Sequence, residues 1–175
     1  MAKKGKPGLV LDPEVARQRI AALEGSECSC TVCRHMCERR PCWGTPEDIK
    51  KILDYGFGLR LMRDYWSGGV NTDVGSIDII SPAIVGYEGG SAPSWPSGRC
   101  TFLTDEGLCE LHDLGLKPIE GRAAHHDTIA QGPHPDLHRM VAALWETEDG
   151  QAVVTEWHRV VGWEWQQVHM EEANG

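Results

Sequence analysis

Residues 28–42 read CSCTVCRHMCERRPC and hold five of the chain's seven cysteines. Cys30, Cys33 and Cys37 follow C-x2-C-x3-C spacing. Residues three and four apart are neighbours on a helix surface, so on a helical turn these sulfurs lie on one face and invite a shared ion. The other two cysteines, Cys100 and Cys109, bracket the stretch CTFLTDEGLC. There Phe102, Leu103 and Leu108 flank a Thr104–Gly107 turn, which predicts a hairpin or tight loop that returns the second thiol near the first. Three residues past Cys109, His112 offers a nitrogen ligand or a donor to a ligand; the competing reading is a surface histidine on a short helix. Neither segment has a complete ligand set. The two are therefore expected to converge on one metal site drawn from Cys30, Cys33, Cys37, Cys100, Cys109 and His112.

A disulfide framework is the plain alternative, and it needs an oxidising compartment. The opening MAKKGKPGLVLDPEV carries positive charge without an apolar run of signal-peptide length, and no stretch is apolar enough to span a bilayer. The expectation is a cytoplasmic protein with reduced thiols and no membrane partner. Clustered cysteines in such a protein point to metal, and an odd total leaves one unpaired in any monomeric disulfide scheme.

Composition bounds the rest. At 175 residues the chain suits one domain with a moderate core, and 20 glycines and 10 prolines against two phenylalanines imply much loop. A formal charge of −9 argues against a phosphate-tracking surface, which would need a basic stripe, so nucleic acid is not an expected partner. Lys3, Lys4 and Lys6 read as a solvated tip.

Helix signals are local and readable. Asp12-Pro13-Glu14 starts a helix with Val15, Ile20 and Leu23 on its apolar stripe, ending at Gly25. Thr45-Pro46-Glu47-Asp48 starts another, burying Ile49, Ile52 and Leu53 up to Gly56. Leu59–Trp66 reads as a short third helix, and residues 67–98 as a long loop with a strand at Ser76–Ile80. Pro135–Trp145 and Ala152–Trp163 have helical apolar spacing, with Glu148-Asp149-Gly150 as the turn between them. The expected fold is mainly α with long irregular loops and a short β-hairpin. It is a small metal-stapled single domain over residues 12–175, behind a flexible tail at 1–11, with a helical C-terminal part from about residue 135.

The segments CSCTVCRHMCERRP and CTFLTDEGLCELHDLGLKPIEGR resemble the YkgJ-type zinc- or iron-chelating cysteine-cluster family, over roughly residues 28–122. The resemblance points to Cys30, Cys33, Cys37, Cys100 and Cys109, and sets Lys117-Pro118 where the family has its basic-Pro pair. It implies bound zinc or an iron–sulfur cluster, and one branch is similar to flagellin lysine methylases. This chain departs from the pattern in two ways. The family's adjacent cysteine pair is opened, and its final cysteine would fall near Gly121, so one ligand is missing. Cys28, Cys42, His112, His125 and His126 are the candidates to replace it.

The metal stays open between zinc and iron. Cys28, Cys30, Cys33 and Cys37 approach the bacterial ferredoxin run C-x2-C-x2-C-x3-C-P without matching it, since the first gap is one residue short and Glu38 stands at the proline position. Structural zinc accepts mixed cysteine and histidine ligation, while the thiol-rich set equally suits a cluster, of which 4Fe-4S is the expected type. His134 and His138 have i,i+4 spacing, but Pro135 sets His134 outside the regular helix. Arg34, Arg39 and Arg40 lie where positive charge would lower thiol pKa values, and read equally as a solvated helix face. The tryptophans near the C-terminus read as core before pocket. The functional expectation is a metal-binding protein with a structural or interaction role and a protein partner or substrate the sequence does not name. The alternative is an iron–sulfur enzyme or electron-transfer protein assisting a modification reaction.

Overall fold

The computed structural model describes residues 10–23, 25, 30–124 and 136–174, with the side chains of Arg34 and 163–174 excepted. The readings of Cys28, His125, His126, His134, Pro135 and most of the N-terminal tail fall outside the described residues, as do the side chains of Trp163 and Trp165. The fold is mostly helical, with one two-stranded antiparallel hairpin. No helix among the described residues is long and apolar enough to cross a membrane.

Local capping decides the first helices. Asp12 accepts peptide N–H groups from Glu14 (2.7 Å) and Val15 (3.3 Å), with proline next in sequence, and α1 runs Pro13–Ala21. It buries Ala16 and Ile20. Thr45 and Asp48 form a reciprocal capping box that starts α3, Pro46–Asp54, whose buried side is Ile49, Ile52 and Leu53. Full burial of each such aliphatic side chain is worth about 2 kcal/mol. Between them lies α2, Thr31–Arg39, with Cys30 at its N-cap.

The stretch Leu59–Trp66 is not a helix. A 3-10 turn at Gly58–Arg60 leads into β1, Leu61–Ser67, which pairs with β2, Ser76–Pro82, in the register Leu61↔Pro82 to Ser67↔Ser76. An uncapped segment of two turns has little helical stability of its own, while Ile77, Ile79 and Ile80 on β2 offer a buried partner surface. The strand expected at Ser76–Ile80 is present, and residues 89–92 add to the other edge of β1 through Arg63 and Leu61.

Two short helices follow, α4 at Glu110–Asp113 and α5 at Ile119–Ala123, then α6 at Leu137–Trp145 and α7 at Glu148–Asn174. Glu148-Asp149-Gly150 belongs to α7 and is not the turn. The break falls at Glu146-Thr147, where Thr147 Oγ1 accepts the Gly150 N–H at 3.0 Å and so caps α7. Glycine stands at 150 because a Cβ there would sit 2.4 Å from the Leu144 carbonyl oxygen.

Helices α3, α6 and α7 pack on β2, and α1 packs on α6, around a core that includes Ile49, Ile52, Ile79, Phe102, Trp145 and Trp157. Both tryptophans are buried as expected, and each satisfies its indole N–H on a glycine carbonyl, Trp145 on Gly44 (2.9 Å) and Trp157 on Gly58 (3.0 Å). Trp95, by contrast, is 84% exposed.

The contact of α7 with the 3-10 turn rests on the missing side chain of Gly58, since a Cβ there would lie 2.6 Å from Val160 Cγ1. Gly58→Ala should lower unfolding stability by about 1–3 kcal/mol, and Val160→Ala in the same chain should return part of that loss. Urea titration of the single and double variants checks both.

Candidate metal centre

Helix α2 carries Cys33 and Cys37, with Cys30 at its N-cap. The Cys30 and Cys33 sulfurs are 3.6 Å apart at its start. Cys37 lies one turn further on, and there the second cysteine segment arrives. The C-terminal carbonyls of a helix have no partner within the helix. Here the Cys37 carbonyl accepts the Cys100 N–H at 2.8 Å, and the Arg39 carbonyl accepts the Gly98 N–H at 2.6 Å. The backbones of the two segments therefore meet at Cys37 and Cys100.

The loop from Cys100 to Cys109 closes as the sequence indicates. Gly107 donates to the Thr104 carbonyl (3.0 Å) and adopts φ +74°, and Leu103 bridges Cys109. Arg60 clamps this loop from outside. Its guanidinium lies 4.0 Å from the Phe102 ring centroid, bonds both Glu110 carboxylate oxygens (2.9 and 2.7 Å) and donates to the Thr101 carbonyl. Such forked, stacked contacts suit arginine's planar group.

Four thiols interact where these segments meet. Cys37 and Cys42 share a hydrogen bond, and the charge of Cys37 is felt at Cys42, Cys100 and Cys109. The Cys42 hydrogen bond, helped by Lys117, holds the Cys37 thiol down at about 7 against burial and the Glu120 carboxylate. The same bond, with burial and Glu120, pushes Cys42 well up. Burial raises Cys100 to about 12, offset in part by the Phe102 N–H and by Arg60. Burial also raises Cys109, while the N–H groups of Leu111 and His112 and the Lys117 ammonium favour its thiolate. Peptide N–H groups directed at sulfur stabilise the charged form that binds metal.

Of the six expected ligands, Cys37, Cys100 and Cys109 are thus brought together, and Cys30 and Cys33 form a pair nearer the start of α2. The His112 side chain is exposed, and what reaches Cys109 is its peptide N–H. As the side chains lie, no three His, Cys, Asp or Glu groups among the described residues are arranged to hold an ion. The donor chemistry nonetheless fits one, since soft thiolates suit zinc and iron–sulfur clusters.

Residues that carry no motif complete the surroundings. Glu120 is 4% exposed and receives the Trp43 N–H (2.6 Å) and the Arg40 guanidinium (3.2 Å), while His138 Nε2 lies 2.7 Å from its other oxygen. The His138 ring also packs against Trp43, tilted by 56° with centroids 5.1 Å apart. Arg40 therefore serves Glu120, while Lys117 acts on Cys37 and Cys109 and Arg60 on Cys100. Asp48 links α3 to α5 by accepting the Ile119 N–H (3.0 Å) and the Arg122 guanidinium (2.9 Å). A helix-cap signal marked Asp48; Glu120 had no signal beyond the chain's general acidity.

No protein-family model, curated protein or solved structure matches this chain.

Two outcomes follow from the electrostatics. In metal-free protein the Cys37–Cys42 pair should lose its first proton near pH 7 and its second well above the ordinary thiol range, so alkylation of the pair should rise through neutrality in one step. Mass-mapped alkylation against pH checks this. Burial alone would raise Glu120, but His138, Arg40 and the Trp43 N–H hold it below its ordinary value. Its charge is then stabilising above the unfolded carboxylate pKa, and that contribution is lost as pH falls through the folded value. Glu120→Ala should cost about 3–5 kcal/mol at neutral pH and flatten the acid side of the stability profile. Denaturation between neutral and acid pH measures both effects.

Proposed function

We propose that this is a cysteine-ligated metal-binding protein similar to the YkgJ-type family, whose ion staples α2 to the Cys100–His112 segment and so maintains the fold. The observation that carries the reading is the meeting of half-buried Cys37 with buried Cys100 and half-buried Cys109 of the other segment, with peptide N–H groups directed at the Cys100 and Cys109 sulfurs. The Cys37 and Cys100 backbones already share a hydrogen bond, so rotation about Cα–Cβ bonds changes the sulfur separations without moving the chain. Bound zinc would supply a tetrahedral crosslink between the segments. Lys117 and the amide donors lower the cost of ionising the thiols, and the aliphatic and aromatic side chains of Phe102 and Leu111 keep water from one side.

A structural role suits the surroundings. Residues 83–109 contain no helix and only isolated bridges, so they have little regular structure to order them. Coordination can supply on the order of 10 kcal/mol to such an arrangement. The Cys30–Cys33 pair favours a second reading, an iron–sulfur cluster with an electron-transfer or modification role, because it adds thiols beyond those one zinc ion needs.

Protein purified without air should contain metal. One zinc per chain in colourless protein supports the staple; brown protein with matched iron and sulfide supports the cluster. Cys37→Ser and Cys109→Ser should each lose metal and stability. Retention of full metal by Cys109→Ser alongside loss by Cys37→Ser would mean that the two segments do not share a site. Chelation should raise hydrogen exchange across residues 30–42 and 98–112 and affect α6 and α7 less. Unchanged exchange after verified metal removal would refute the structural role.

A further inference from the structure

A tetrahedral thiolate site needs one more donor than Cys37, Cys100 and Cys109 provide. The His112 ring is exposed, and the Cys30 and Cys33 sulfurs stand beside each other at the far end of α2. Cys42 is placed differently. It is 7% exposed, its thiol bonds that of Cys37, and it feels the charge of Cys100. Its sulfur lies against Gly121 of α5, so close that a Cβ built on that glycine would be 3.3 Å from it, with Lys117 Cε at 3.0 Å. The absent side chain at 121 is the space in which the Cys42 thiol and the Lys117 stem fit. The segment carrying Cys42 is fixed independently, because the neighbouring Trp43 N–H is held by Glu120 and the Trp43 indole N–H by Asp64 at 2.8 Å.

A buried cysteine is commonly just a small apolar side chain. Three features set Cys42 apart from that reading. Its partner is another thiol, that partner belongs to the proposed site, and a side chain has been dispensed with at the position its sulfur abuts. We propose that Cys42 is the fourth metal ligand and that Gly121 is the position that admits it, the two forming a ligand-and-space pair. On coordination the ion replaces the thiol proton, which passes to solvent, and the bond to Cys37 gives way to a shared metal. The inference rests on the metal-binding reading above.

The pairing gives a rescue test. In Cys42→Ala the sulfur is gone, and Gly121→Cys then returns a thiol from the opposite wall of the same space. Full-length chains are reconstituted with cobalt(II) under reducing, anaerobic conditions; affinity is read by chelator competition and thiolate number by the sulfur-to-cobalt charge-transfer band. Cys42→Ser should bind about tenfold to a hundredfold more weakly than the parent. It should also lose about a quarter of the band, the share of one ligand among four. Cys42→Ala with Gly121→Cys should recover the band, and Cys42→Ala with Gly121→Ala, which fills the space without a thiol, should not. Circular dichroism on each variant confirms folding, and the near-isosteric serine keeps the test available if the alanine variant does not fold.

Parent-like affinity and band in Cys42→Ser would overturn the assignment and leave Cys42 a core thiol. So would a parent-like band in Cys42→Ser with a one-ligand loss in Cys33→Ser, which would give the fourth position to Cys33. Failure of the parent chain to bind cobalt(II), zinc or iron would instead remove the metal-binding reading itself, an outcome distinct from either of these.

Discussion

The C-terminal carbonyls of α2 determine where the candidate centre can be. A helix end that packs against the rest of the chain must find donors for these groups, and here they are the peptide N–H groups of Gly98 and Cys100. From that seam the next residues are fixed in order. Thr101 N–H donates to the Ala83 carbonyl, the Thr101 hydroxyl lies against the Arg60 carbonyl, and Arg60 in turn grips Phe102 and Glu110. Cys37, Cys100 and Cys109 are thus gathered by main-chain and arginine bonds. An ion bound there would add to an arrangement whose loop-closure entropy is already partly met, which favours binding.

Charge around the thiols is balanced in a way that bears on what they could hold. Glu120 is buried beside Cys37 and Cys42 and raises the cost of ionising both. Its own charge is answered by Arg40 and His138, both of which are partly exposed. Lys117 is the cation that acts in favour of the Cys37 and Cys109 thiolates, with the amide donors of the 100–112 segment. Several thiolates together next to a carboxylate would repel one another strongly in this partly desolvated setting. Burial and that carboxylate hold Cys42, and burial holds Cys100 and Cys109, above the ordinary thiol value, so a cation bound as proposed would have to displace their protons.

What was legible in the sequence was what short-range chemistry decides. Asp12 and Thr45 announce α1 and α3 because a cap needs only its own first turn, and Gly107 announces its turn because the left-handed backbone there favours glycine. The strand β1 was not legible as such, since its stability comes from β2 and the 89–92 edge, both distant in sequence. Gly150 misled for a related reason. It reads as a helix breaker, yet it sits inside the first turn of α7 to let the Leu144 carbonyl approach. At the candidate centre, the cysteine spacing located Cys37, Cys100 and Cys109. The family resemblance sets a missing cysteine near Gly121 and offers Cys42 among its replacements, but the contact of the two, like the placing of the Glu120 carboxylate, depends on residues brought together from far apart.

The depth of Cys42 and Cys100, with Cys37 and Cys109 half-buried, suits the crosslink proposed above better than an open reaction site. Cys100 and Cys42 are 5% and 7% exposed, and Phe102 and Leu111 behind them are about 1% exposed, so an ion held there would be closed in by protein on that side. Catalytic zinc keeps a position for water or substrate, whereas structural zinc is enclosed by four protein donors. A donor set completed by a buried thiol leaves no such position. The glycine-rich segments on either side can then remain irregular, because the proposed coordination bonds would do for residues 83–112 what helix packing does for α1, α3, α6 and α7.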